Sequence, residues 1–80
     1  MTKRNKELQL IGKNIKKIRA SKKMSQEELA NVSELHRTYI GNIERGEKNP
    51  TILTLLMIAK ALHVTLNELL EGIYDKKKNL

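Results

Sequence analysis

Cysteine, tryptophan and phenylalanine are absent from this chain, and its only aromatic side chains are two tyrosines. Without a thiol there are neither disulfides nor thiolate metal ligands, which fits a reducing, cytoplasmic setting. No apolar run reaches the roughly 18 residues of a membrane span. The first residues are polar and carry no apolar stretch of a secretory leader. Strand alternation, internal repeats and low-complexity segments are missing too, so helices are the simplest account. Acid is scarce at the start. Residues 1–23 hold nine bases (Lys3, Arg4, Lys6, Lys13, Lys16, Lys17, Arg19, Lys22, Lys23) against Glu7 alone. Seven bases and eight acids follow and nearly balance, so the net charge of +7 belongs to the N-terminal part, and a polyanion is its natural partner.

Eighty residues make one small domain with limited surface to bury, and oligomerisation is a source of added stability at this size. Catalysis has little to stand on. His36 and His63 are the only histidines, no cysteine is present to activate, and the acids show no metal-ligand spacing. The glycines form no phosphate-cradling loop. A non-enzyme without cofactor or metal is expected.

In chain order, residues 1–7 read as a mobile basic tail. Leu8, Ile11, Ile15 and Ile18 recur at three and four, which predicts a helix from about Leu8 to Ser21 with Lys13, Lys16 and Lys17 in water. Ser25 is an N-cap, and Glu28 completes a capping box. Leu29, Ala30 and Val32 supply the apolar positions of that second helix. Ser33 and Glu34 form a turn, and Leu35 returns to the core. A third helix runs from about Arg37 to Arg45, with Ile40 and Ile43 inward and Gly46 as its C′ residue. Thr51 caps a fourth helix, roughly Ile52 to Leu62. Thr65 and Glu68 form another capping box that opens a fifth helix at Leu66, which Gly72 ends or interrupts. The domain spans 8–74, and 75–80 is a charged tail. The expected architecture is all-α with five helices. Two short helices joined by a tight turn over Met24–Pro50 describe a helix-turn-helix, whose second helix lies in the major groove of DNA.

The stretch 24–50 resembles the helix-turn-helix of the phage-repressor-like family, which includes the lambda and 434 repressors and Cro. The residues that carry the likeness are Gln26, Leu29-Ala30, Ile40 and the Ile43-Glu44-x-Gly46 ending. The five-helix plan extends it over about residues 8–72. Within the family, the run Leu35-His36-Arg37-Thr38-Tyr39-Ile40, with Ile43-Glu44-Arg45-Gly46 and Asn49-Pro50-Thr51, is similar to controller proteins of bacterial restriction–modification systems. The resemblance implies a dimeric regulator of its own gene and of the endonuclease gene. A phage-type or antitoxin-like repressor is the alternative within DNA binding, and a protein-interaction module the alternative outside it.

Arg37, Thr38 and Tyr39 open the recognition helix, with Asn42 a turn further on the same side, so these four are the expected base readers. Arg37 suits guanine O6 and N7, and Thr38 a thymine methyl. Tyr39 has a second possible place, sideways on the core. Gly41 lets the helix approach closely. Gln26, at a helix N-terminus, suits a phosphate, as the matching residue does in the family. By the same resemblance Arg45, Lys48 and Asn49 clamp phosphates. Lys22 and Lys23 either join them or form a solvated face. The resemblance also implies a salt bridge between Arg19 and Glu44. Glu27 and Glu28 match in part an acidic patch that touches the sigma subunit of RNA polymerase, although Asn31 replaces one acid of it. Finally, helix four is apolar nearly all round and helix five adds more. That surplus predicts a symmetric dimer through Leu53, Met57, Leu70, Ile73 and Tyr74, unless it is simply the core of a monomer.

Overall fold

Polar side chains set where four of the five helices begin. In the computed structural model, which describes residues 5–73, the elements are α1 (Lys6–Ser21), α2 (Gln26–Ser33), α3 (Arg37–Glu44), α4 (Ile52–Leu62) and α5 (Leu66–Leu69). Ser25 and Glu28 form the capping box of α2, with Ser25 N–H donating to Glu28 Oε1 at 2.8 Å and Glu28 N–H to Ser25 Oγ at 3.0 Å. Thr51 Oγ1 accepts from the Thr54 N–H at 3.1 Å, and Thr65 and Glu68 form the box of α5. α1 starts two residues earlier than its apolar stripe predicts. Asn5 Oδ1 accepts from the backbone N–H groups of Glu7 at 2.8 Å and Leu8 at 3.2 Å, satisfying donors that helix geometry leaves orphaned.

The helix ends share a second device. Lys23 (φ 56°), Glu34 (φ 62°), Gly46 (φ 75°) and His63 (φ 59°) follow α1 to α4 in the left-handed region. At α3 the result is a Schellman turn: Gly46 N–H donates to Ile43 O at 3.0 Å and Glu47 N–H to Asn42 O at 2.9 Å. Only one of the four positions is a glycine, so the other three turns are invisible to a search for glycine.

The core is aliphatic. Ile15, Leu29, Ile40, Ile43, Ile58, Leu62 and Leu69 are almost completely excluded from water, and every helix contributes at least one of them. α1 packs on α3, α2 on both α3 and α4, and α5 joins α4 to α1. Asn14 fastens this closure by donating its amide to Leu69 O and Glu71 O, both at 2.9 Å. α5 is a single turn that ends at Leu69, so Gly72 (φ 86°) lies beyond it and does not cap it.

Several expected placements change. Val32 is 57% exposed, and Ser33 takes its place inside. At 100° per residue, Ser33 falls between Leu29 and Ala30 on the helical wheel, whereas Val32 falls outside them. The buried Ser33 hydroxyl is satisfied by donating to Leu29 O at 2.6 Å. Leu70 and Ile73 are half-buried, packed in part against the chain's own core. Ile52 (60%), Leu53 (68%) and Leu56 (40%) are the exposed apolar residues of α4, and Met57 is half-buried. Tyr74 and the tail 75–80 lie outside the described residues, as do Lys3 and Arg4.

α1 and α3 cross very closely. A Cβ on Gly12 would stand 2.4 Å from Ile43 O and 2.5 Å from Glu44 O, both backbone atoms with little room to move. Gly12→Ala is therefore expected to lower stability by about 1–3 kcal/mol or more. Urea denaturation checks this, and an unchanged midpoint would contradict the close crossing.

Candidate nucleic-acid interface

The helix-turn-helix consists of α2, the turn 34–36 and α3, and one carboxylate ties it to α1. Glu44, with a side chain 2% exposed, accepts from Arg19 Nε at 2.7 Å, Arg19 Nη2 at 3.0 Å and Gln26 Nε2 at 2.9 Å. Arg19 Nη1 also donates to Met24 O at 2.8 Å, in the link between α1 and α2. A planar guanidinium suits this two-pronged grip. The hydrogen bonds to Glu44 raise the pKa of Arg19 above its ordinary value, burial lowers it, and the carboxylate's charge raises it again. With its pKa raised, Arg19 stays charged across the whole neutral range.

α3 presents Arg37 and Thr38 to solvent at its first turn. His36 precedes them as an N-cap whose side chain accepts no backbone hydrogen bond. Tyr39 is half-buried, packed against the core, which is the second of its two expected places. Asn42 is half-buried, and its Oδ1 accepts from Arg45 Nη2. Arg45 Nε in turn donates to Glu47 Oε1 at 3.2 Å. Gly41 is buried. A Cβ there would lie 3.3 Å from Arg45 Nη1 and 3.6 Å from Gln26 Oε1, so the missing side chain leaves room for those two residues.

The structure thus gathers Gln26, Asn42 and Arg45 around the outer side of α3, with Lys48 and Asn49 exposed in the loop that follows. Lys22 and Lys23 sit exposed in the turn between α1 and α2. Glu27 and Glu28 are exposed on the first turn of α2, where Glu28 already spends one oxygen on the capping box. Two features of the site escape sequence reasoning: the third hand on Glu44, from Gln26, and the pairing of Asn42 with Arg45. The second has a local signal, because the residues are three apart on one helix face. No three or more histidine or acidic side chains among the described residues form a metal-ligand group, and no helix there is long and apolar enough to cross a membrane.

A short helix, a tight turn and a second helix with an exposed leading face, set in a five-helix bundle, define a helix-turn-helix protein. The chain belongs to the helix-turn-helix family, whose model matches residues 15–69. It is 48% identical over 74 residues to Control protein C.BamHI of Bacillus amyloliquefaciens, a match covering 86% of this chain and 91% of that one. Among solved structures, the restriction-modification controller protein C.AhdI from Aeromonas hydrophila superposes with a TM-score of 0.80 at 37% identity, covering 81% of this chain and 98% of that one. The controller protein C.Esp1396I, solved as a tetramer with its natural 35 base-pair operator, gives a TM-score of 0.74 at 41% identity over 84% of this chain and 99% of that one.

Arg19→Met leaves Glu44 buried without its charge partner and is expected to cost about 3–5 kcal/mol. Combining it with Glu44→Leu should restore part of that loss. Thermal melts of the two single variants and the double variant test this. Strictly additive effects would mean that the ion pair does not link α1 to α3.

Proposed function

We propose that this chain is a sequence-specific DNA-binding transcription regulator, and specifically a restriction–modification controller. It acts as a homodimer on a near-palindromic operator and controls its own gene and the endonuclease gene. One observation carries the reading: α3 holds Arg37 and Thr38 exposed at its leading turn while Glu44, at its other end, is locked into the bundle. A recognition helix needs both, an outward face for base edges and a fixed orientation. The nine bases in residues 1–23 supply the field that draws in a polyanion. The likeness to controller proteins over nearly their whole length supports the narrower assignment.

In this reading Arg37 pairs with guanine, Thr38 contacts a neighbouring base, and Asn42 reads one pair further along. Tyr39, half-buried against the core, joins them through the part of its side chain that stays exposed. Gln26 offers its second amide hydrogen to a phosphate, and Lys48, Asn49, Lys22 and Lys23 add phosphate contacts, with Arg45 beside them. Glu27 and Glu28 are the acids available to the sigma subunit of RNA polymerase. The cytoplasm is where such a regulator works, and it performs no catalysis of its own. Leu53, Met57, Leu70, Ile73 and Tyr74 form the dimer surface, with Ile52 and Leu56 exposed beside Leu53, each Å² of apolar area removed from water contributing roughly 25 cal/mol.

Selection of bound fragments from a random DNA pool tests the proposal, and a two-fold related motif is the expected outcome. Failure to enrich any sequence would sink it. Arg37→Ala should weaken operator binding by about 1–3 kcal/mol and relax one base pair per half-site, while leaving random DNA nearly unaffected. Equal losses on both would make Arg37 a phosphate contact. Leu53→Glu places a charge in the exposed apolar surface and should shift the protein towards monomers that remain folded. Analytical ultracentrifugation decides this, and a wild-type monomer at micromolar concentration would contradict the dimer.

A further inference from the structure

The segment that follows α5 has little of its own to hold it. α5 is a single turn of four residues, and Leu69 is its one buried side chain. A turn that short has no stability alone. Leu70 and Ile73 come next, half-buried and part of the dimer surface proposed above. The last carbonyls of a helix find no partner inside it. Here Leu69 O and Glu71 O flank Leu70, and both accept from Asn14 Nδ2 at 2.9 Å. One amide group thus directs both its hydrogens to the backbone that carries Leu70. Leu10, one turn before Asn14 on the same face of α1, supports the next link: its Cδ2 lies 3.4 Å from where a Cβ on Gly72 would stand. Leu53 and Met57, the α4 part of the surface, need no such latch, because Leu55, Ile58 and Leu62 bury that helix in the core.

The same helix grips α3. Gly12 meets the backbone of Ile43 and Glu44, and Arg19 binds the Glu44 carboxylate. Gly12 and Arg19 fall on one line of α1, whereas Leu10 and Asn14 fall near its opposite side. α1 is therefore a strut of 16 residues with α3 fixed to one side and the 69–73 segment to another. In a symmetric dimer, the separation of the two α3 helices follows from how each is held relative to the dimer surface. That separation decides which half-site spacing can be engaged. We infer that Asn14 is a positioning residue for half-site spacing: by pinning Leu69 O and Glu71 O, it locks the Leu70 and Ile73 part of the dimer surface to the strut that holds α3. This rests on the dimeric, DNA-reading function proposed above. Asn14 acts on the spacing through Leu70 and Ile73, without a DNA contact of its own.

Binding of the full chain to a set of duplexes tests it. The set holds a single half-site and the selected operator with base pairs added or removed between its half-sites, each rotating one half-site about the axis by about 35°. For the wild type we expect one spacing favoured by about tenfold or more over those two base pairs away, because misplaced half-sites cannot be engaged together. Asn14→Asp keeps the side chain's shape and sets acceptors against the two carbonyls. Asn14→Ala removes the donor without adding charge, and it decides where the two variants differ. The spacing preference should shrink to about threefold or less, with affinity for the single half-site as in the wild type. A merely structural role would weaken half-site and operator together and leave the spacing ratio unmoved. Two results would overturn the inference. One is a variant that keeps the wild-type spacing preference. The other is a variant whose half-site affinity falls in step with its operator affinity, which would make Asn14 a support of the whole fold. A wild type with a sharp spacing preference leaves the regulator reading standing in either case. A wild type that binds every spacing alike, or enriches no sequence, overturns both.

Discussion

A single buried carboxylate holds the reading head in place. Glu44 sits at the end of α3, with 2% of its side chain exposed, and receives donors from α1 and α2. Burying a charge is costly unless it is paired and hydrogen-bonded, and here three donors from two residues meet that condition. Because the donors come from different helices, α3 cannot tilt without losing several bonds together. The close α1–α3 crossing at Gly12 is the steric counterpart of the same tie, since the backbone of Ile43 and Glu44 lies where a Cβ would go. The Schellman turn at Gly46 then releases the chain into the loop carrying Lys48 and Asn49.

The division of labour along α3 follows from that anchoring. Ile40, Gly41, Ile43 and Glu44 face inward and are buried. Arg37 and Thr38 lie outside, and Asn42 and Arg45 are coupled to each other. An eight-residue helix has marginal stability alone, so its orientation has to come from tertiary contacts. α4 packs on α2, buries Leu55, Ile58 and Leu62 in the core and keeps Ile52, Leu53 and Leu56 outside. One face of that helix therefore serves the core, and the other stays exposed.

What could be read from the sequence was mostly local. Ser25 with Glu28, Thr51, and Thr65 with Glu68 announce helix starts by spacings that local hydrogen bonds enforce, and Gly46 announces a stop by its conformational freedom. The alternation of Ile11 and Ile15, and of Ile40 and Ile43, marks the inner faces. What escaped depends on neighbours distant in sequence. Val32 and Ser33 exchange places because burial of α2 centres between Leu29 and Ala30, and an apolar-residue count does not see that a serine can satisfy itself on its own helix. Gly41 looks like an approach to DNA until Gln26 and Arg45 are found beside it. That Leu70 and Ile73 pack in part on the chain's own core depends on α5 folding back on α1, where Asn14 holds it.

A rigidly anchored α3 reads sequence, not merely charge. The most direct measurement is the ratio of affinities for the selected operator and for random duplex DNA of the same length, taken across a salt series. A ratio of about a thousandfold or more is expected at physiological salt. Both affinities should fall linearly on a log–log plot as phosphate contacts are displaced. A ratio near one at every salt concentration would contradict sequence reading by α3, because the protein would then hold DNA through its basic N-terminal charge alone.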